Sequence, residues 1–231
     1  STGEFPLWSP LLMGGYPFHA DPLAGLFYVP GWLGYLLPQP IGLNLLVMLH
    51  FAWLAFGTAL LGRRLGLSAA FSVGAGLLVL LMPKIWAHYA AGHVSLLFAF
   101  SWTPWMAAAG MRTSGSTWRG RQTALSALIL ALGICADPRW APYLILVLTA
   151  AYYFANRSVS PLSGLQSLGR AALISGIAVG LAAALVLPML NFAARSTRSL
   201  MTIDDLLQFA LRPADLIKVM IPVFTDQAER A

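Results

Sequence analysis

The stretch Pro6–Pro30, PLWSPLLMGGYPFHADPLAGLFYVP, is too apolar for a surface loop and too interrupted for a membrane-spanning helix. Pro6, Pro10, Pro17, Pro22 and Pro30 each withhold a backbone donor, and Gly14-Gly15 permits positive φ. Between them stand Trp8, Tyr16, Phe18, Phe27 and Tyr28, rings of the kind that settle at a membrane–water boundary. His19 and Asp21 are its ionisable side chains near neutral pH. The stretch reads as an ordered cap lying on one face of a helical membrane bundle.

The rest of the chain supplies that bundle. Apolar residues make up 58% and charged residues 10%, against roughly 25% charged in a soluble domain. Mean hydropathy is +0.74. The fold class expected is all-α, a polytopic transmembrane bundle. A net charge of +6 does not indicate nucleic acid, because the basic residues are scattered between apolar runs. Cys135 is the only cysteine, which excludes an intrachain disulfide. The chain opens on Ser-Thr-Gly-Glu-Phe and closes on DQAERA, the ends expected of a piece of a longer protein.

Six spans are expected, close to Gly42–Gly62, Ala69–Ile85, Ala90–Gly110, Thr123–Ala136, Ala141–Ala155 and Ala171–Pro188. Residues 1–38 then form the outer-face cap, 39–192 the six-span bundle, and 193–231 outer-face interfacial helices with a tail. The fourth and fifth spans have only about 15 residues, roughly 22 Å of helix. A hydrocarbon core is about 30 Å thick. The turn Asp137-Pro138-Arg139-Trp140 is therefore expected below the membrane surface, where polar backbone must be buried in protein or line a cavity. Further on, Thr202-x-x-Asp205 has the form of a capping box, and Pro213 opens a helix that stops at Pro222.

With the cap outside, six crossings put Arg63, Arg64, Arg112, Arg119, Arg121, Arg157 and Arg170 on the cytoplasmic face with no acidic residue among them. Asp21, Asp137, Asp204, Asp205 and the other acids fall on the opposite face. Arg-rich short loops are cytoplasmic by the positive-inside rule, so the cap faces outward.

This orientation gathers the candidate site residues on the outer side. His19, Asp21, His88, His93, Asp137 and Arg139 are expected to line a substrate cavity, and Lys84, Arg195 and Arg198 to hold a lipid phosphate. A carboxylate there suits a general base towards a hydroxyl acceptor. The plainer alternatives are mutual neutralisation of Asp137 and Arg139, and snorkelling of Lys84 to the headgroups. On one helix His88 and His93 would point about 140° apart, so no metal site is expected from them. His50 lies mid-span without a second mid-span His, which favours an interhelical hydrogen bond over a haem. Trp86, Trp102 and Trp105 are expected in an interfacial belt.

Several phrases together resemble the YfhO-like bacterial membrane proteins of the GT-C glycosyltransferase superfamily. The Pro6–Pro30 stretch is similar to the outer loop that follows that family's first membrane helix. Ala91-Gly92-His93 with Trp102-Thr103-Pro104, then Leu187-Pro188, Arg195-Ser196, Leu211-Arg212-Pro213 and Ile221-Pro222 fall in the family's order. The resemblance implies inverting transfer of a sugar from a polyprenyl-phosphate carrier to an acceptor at the outer face of a bacterial inner membrane. It places the family's catalytic Asp in the outer-loop stretch before the Pro6–Pro30 phrase, so no residue of this chain is assigned as catalytic. The polyprenyl-phosphate-linked sugar is the only donor implied, and no cofactor is assigned. Membrane lipids are the expected partners, with other membrane subunits if the chain is instead a non-catalytic scaffold of a larger complex. A lipid or small-solute transporter is the third reading, supported by the short fourth and fifth spans.

Overall fold

The computed structural model describes residues 6–11, 14–111, 119–156 and 163–207. The Pro213–Pro222 helix expected from sequence, and the side chains of Arg119 and Arg198, lie outside them. The chain divides into two compact units, residues 1–190 and 191–231.

Among the described residues the first unit is helical. Its N-terminal segment holds one antiparallel backbone bridge between Ser9 and Tyr16 and two 3-10 turns, Phe18–Ala20 and Val29–Tyr35. The second turn packs on helix α1, Ile41–Arg64. There follow α2 (Ala69–Leu80), α3 (Pro83–Ala90), α4 (Val94–Phe100) and α5 (Thr103–Gly110). After them come α6 (Arg119–Ala136), α7 (Ala141–Asn156), α8 (Ser163–Leu181) and α9 (Ala183–Ala194). In the second unit a 3-10 turn at Thr197–Leu200 precedes α10, Ile203–Leu207.

Buried positions recur at helical spacing. Leu144, Leu148 and Tyr152 on α7, and Ser167, Ala171, Ile174 and Ala178 on α8, form stripes facing Ala127, Leu130 and Ile134 of α6. The opposite faces are no more polar. Leu125, Leu128, Leu146, Leu168 and Leu173 are all exposed. A helix apolar all round belongs in a large core or in lipid.

Two helical segments are long and apolar enough to cross a membrane: Ile41–Arg64, 24 residues with mean hydropathy 1.9, and Ala69–Ala90, 22 residues with mean hydropathy 1.7. Leu165–Leu181 and Ala183–Ala194 form a third candidate, bent by 84° between its halves. The expected single span Ala171–Pro188 is therefore broken at Ala182, and Pro188 lies inside α9. The expected third span is interrupted too. Ser101 and Trp102 separate α4 from α5, where Pro104 sits in the first turn. Val94–Gly110 and Gly120–Ala136 are apolar but shorter.

The first two long segments pack through small residues. A Cβ on Gly76 of α2 would lie 2.5 Å from the Ala55 carbonyl oxygen of α1, and one on Gly62 would lie 3.1 Å from Ser72 Oγ. Close backbone approach of this kind is how helices associate where no hydrophobic drive exists between them.

Candidate functional site

The short connection between α6 and α7 is built by one carboxylate. Asp137 is extended at φ −159° and accepts from the backbone N–H of Arg139, capping the 3-10 turn Pro138–Trp140. Its side chain has no exposed surface. Oδ1 accepts from Arg139 Nε at 2.9 Å and Oδ2 from Arg139 Nη2 at 2.6 Å, a bidentate fork. Ser95 Oγ of α4 donates to Oδ2 at 3.0 Å. Arg139 keeps half its side chain in the open. The carboxylate is thus neutralised and saturated with donors. Next to it, Trp140 donates to Thr103 Oγ1 at 3.0 Å and stacks on Tyr143.

A second polar group joins the N-terminal segment to the bundle. Tyr28 Oη and His50 Nε2 are 2.6 Å apart, and His50 Nδ1 is 2.8 Å from the Leu46 carbonyl oxygen. That carbonyl only accepts, so Nδ1 carries the proton and Nε2 accepts from the Tyr28 hydroxyl. Trp102 Nε1 in turn donates to the Tyr28 oxygen at 3.0 Å. All three side chains are buried, and the chain of donors leaves none of these groups unpaired. Trp102 is therefore a core residue and not part of a belt. Trp105 stacks on Trp53 at 4.0 Å, while Trp86 is 47% exposed.

Of the concavities adjoining these groups, two bear on the candidate residues. A cleft of about 290 Å³ lies between the N-terminal segment and the helices, lined by Tyr28, Gln39, Leu46, Ser95, Phe98 and Ala136. A groove of about 200 Å³ runs along α3 and α4, walled by Ile85, Leu96, Leu97, Phe100 and Trp140, with Lys84 and His88 among its lining residues. Lys84 is exposed.

The remaining candidates separate. His19 Nδ1 donates to the Leu7 carbonyl oxygen at 2.7 Å. Asp21 accepts from Tyr16 Oη at 3.2 Å and from the Leu23 N–H at 2.8 Å. Both knit the N-terminal segment to itself and line neither concavity. Arg195 is exposed after α9 in the second unit. His88 and His93 do meet, Nδ1 to Nδ1 at 3.1 Å, contrary to the divergence expected on a continuous helix. The helix ends between them: α3 stops at Ala90 and Gly92 has φ +74°.

Sequence reasoning missed Tyr28, Trp102 and Ser95 as partners of His50 and Asp137. Their hydroxyl and indole groups carry no charge pattern, and only the packing of distant segments pairs them. Gly92 between the two histidines was the signal for the third group, because glycine is the usual residue at a left-handed helix end. Comparisons with protein families, curated proteins and solved structures give no match for this chain.

Proposed function

We propose that the chain is part of a GT-C-like bacterial membrane glycosyltransferase whose described portion holds the lipid carrier rather than the catalytic base. In this reading α1, the α2–α3 pair, the α4–α5 pair, α6, α7 and α8 make six crossings of the inner membrane, with the N-terminal segment outside. The observation that carries it is the groove along α3 and α4, where a cationic edge adjoins apolar walls. Lys84 suits a phosphate as a mobile point charge, His88 supplies a ring N–H, and Leu96, Leu97, Phe100 and Trp140 suit an isoprenoid chain.

Asp137 does not serve as the base in this scheme. Both of its oxygens are engaged and it has no exposed surface. The resemblance puts the family's catalytic Asp in the outer-loop stretch ahead of the Pro6–Pro30 phrase, so no residue of this chain is assigned as the base. Native mass spectrometry of the chain in detergent tests the carrier assignment. Polyprenyl phosphate binds more tightly than the matching polyprenyl alcohol, and Lys84→Ala removes about fivefold of the affinity, the worth of one surface cation near an anionic lipid. Equal affinity for phosphate and alcohol overturns the reading.

The second reading is a non-catalytic membrane subunit. It is favoured by the neutralised Asp137 and by the apolar outer faces of α6 to α8. Copurification of the native chain with stoichiometric membrane partners, without sugar transfer from a polyprenyl-phosphate donor, selects it.

A further inference from the structure

The end of α3 brings two imidazoles together by backbone geometry. His93 N–H bonds to the His88 carbonyl oxygen at 2.9 Å and Gly92 N–H to the Tyr89 carbonyl oxygen at 3.0 Å. With Gly92 at φ +74° this is a Schellman ending, which commonly sets the side chain just past the glycine against one in the last helical turn. That pair is usually hydrophobic. Here it is His93 against His88, with Nδ1 atoms 3.1 Å apart at the protein surface.

We propose that His88 and His93 chelate a borderline first-row divalent cation of the zinc, copper or nickel class. A cation about 2.0–2.1 Å from each nitrogen would see the two donors at close to a right angle, an angle suited to tetragonal Cu(II) or Ni(II). Hard cations such as magnesium and calcium prefer oxygen ligands and do not fit. No third His, Cys, Asp or Glu completes the group among the described residues, so the other positions stay open to water or an anion. Lys84 stands one turn earlier on α3 and adds positive charge, which favours an anionic co-ligand such as a phosphate oxygen.

Without metal, one ring donates its Nδ1 proton to the other ring's Nδ1. On chelation both Nδ1 lone pairs go to the cation and the donor ring carries its proton on Nε2 instead. Two neutral rings therefore bind without net proton release, and protonation of either ring competes with the metal. The proposal does not rest on the glycosyltransferase reading, and failure of lipid binding leaves it standing.

Copper itself is the probe. The full chain in detergent receives one equivalent of Cu(II), and the nitrogen hyperfine pattern is read by electron paramagnetic resonance beside a calorimetric titration. The wild type shows two imidazole nitrogens. His88→Ala and His93→Ala each show one, with affinity lower by at least about tenfold through loss of the chelate. His19→Ala leaves both readouts unchanged. Both targets lie at the surface, and circular dichroism checks that each variant keeps its helix content. An unchanged nitrogen count and affinity in the double variant His88→Ala/His93→Ala overturns the proposal, as does a wild type with a single bound nitrogen.

Discussion

Replacing Arg139 by alanine leaves the Asp137 carboxylate buried without its counter-charge. Breaking a buried pair from one side costs about 3–5 kcal/mol, and the open half of Arg139 reduces this to about 2–3 kcal/mol. Asp137→Asn leaves no buried charge and lets the guanidinium move into solvent, so it costs only about 1–2 kcal/mol. The predicted order, Arg139→Ala worse than Asp137→Asn, is read by denaturant-induced unfolding in detergent, and the reverse order would contradict the neutralised-pair account. The Tyr28 hydroxyl makes a sharper case. Tyr28→Phe strands both the Trp102 indole N–H and His50 Nε2, at about 1–3 kcal/mol for each buried unpaired group. Faster proteolysis of the N-terminal segment checks it, since that segment then loses a polar anchor on α1. At this scale the sequence was readable where charge spoke. The Asp137–Arg139 pairing is inherent in two opposite charges two residues apart. His50 does hydrogen-bond, but to Tyr28 of the N-terminal segment and to a carbonyl of its own helix rather than between helices. Tyr28 and Ser95, recruited from far along the chain, had no such mark.

Two glycines on one short helix respond in opposite directions. Gly76→Ala drives a methyl into the Ala55 carbonyl of α1 and costs about 1–3 kcal/mol. Gly74→Ala meets nothing within 4 Å and gains up to about 1 kcal/mol from helix propensity. Thermal unfolding of both variants tests the close α1–α2 approach; equal shifts would argue against it. In the second unit the capping box expected at Thr202-x-x-Asp205 is formed. Asp205 Oδ2 accepts from the Thr202 N–H and hydroxyl, each at 2.7 Å, and Thr202 Oγ1 accepts from the Asp205 N–H at 3.3 Å. The Thr202 backbone and hydroxyl bonds hold the Asp205 carboxyl below its ordinary value of 3.8. The sign follows from that depression. The cap's contribution is complete above the unfolded carboxylate pKa of about 3.9 and is lost as pH falls through the lower folded value. A carbon-13 titration of Asp205 midway below that of a model peptide is the expected result, and Thr202→Ala moves it back upward. Of these element ends the Thr202 box was legible, whereas the expected spans Ala69–Ile85 and Ala90–Gly110 run through Pro83, Gly92 and Pro104, each of which marks a real start or stop. The break at Ala182 has no proline or glycine at the break itself to announce it.

For the molecule as a whole, apolar composition implied a helical membrane protein, and the described residues are helical with two or three segments fit to span. The count of six crossings is another matter. It depends on α4 to α7, whose pieces are too short or too interrupted to meet a length criterion singly and must be judged from arrangement and flanking charge. The side of the membrane on which each loop lies is therefore the central claim. Cysteine accessibility to a membrane-impermeant maleimide in intact cells tests it directly, in a Cys135→Ser background with Leu23→Cys, Leu65→Cys, Ala91→Cys or Gly120→Cys, all at exposed positions. The account predicts labelling from outside at 23 and 91, and protection until the cells are opened at 65 and 120. Labelling of Gly120→Cys from outside would mean that the α4–α5 pair does not cross, and outside labelling of Leu65→Cys would overturn the orientation altogether.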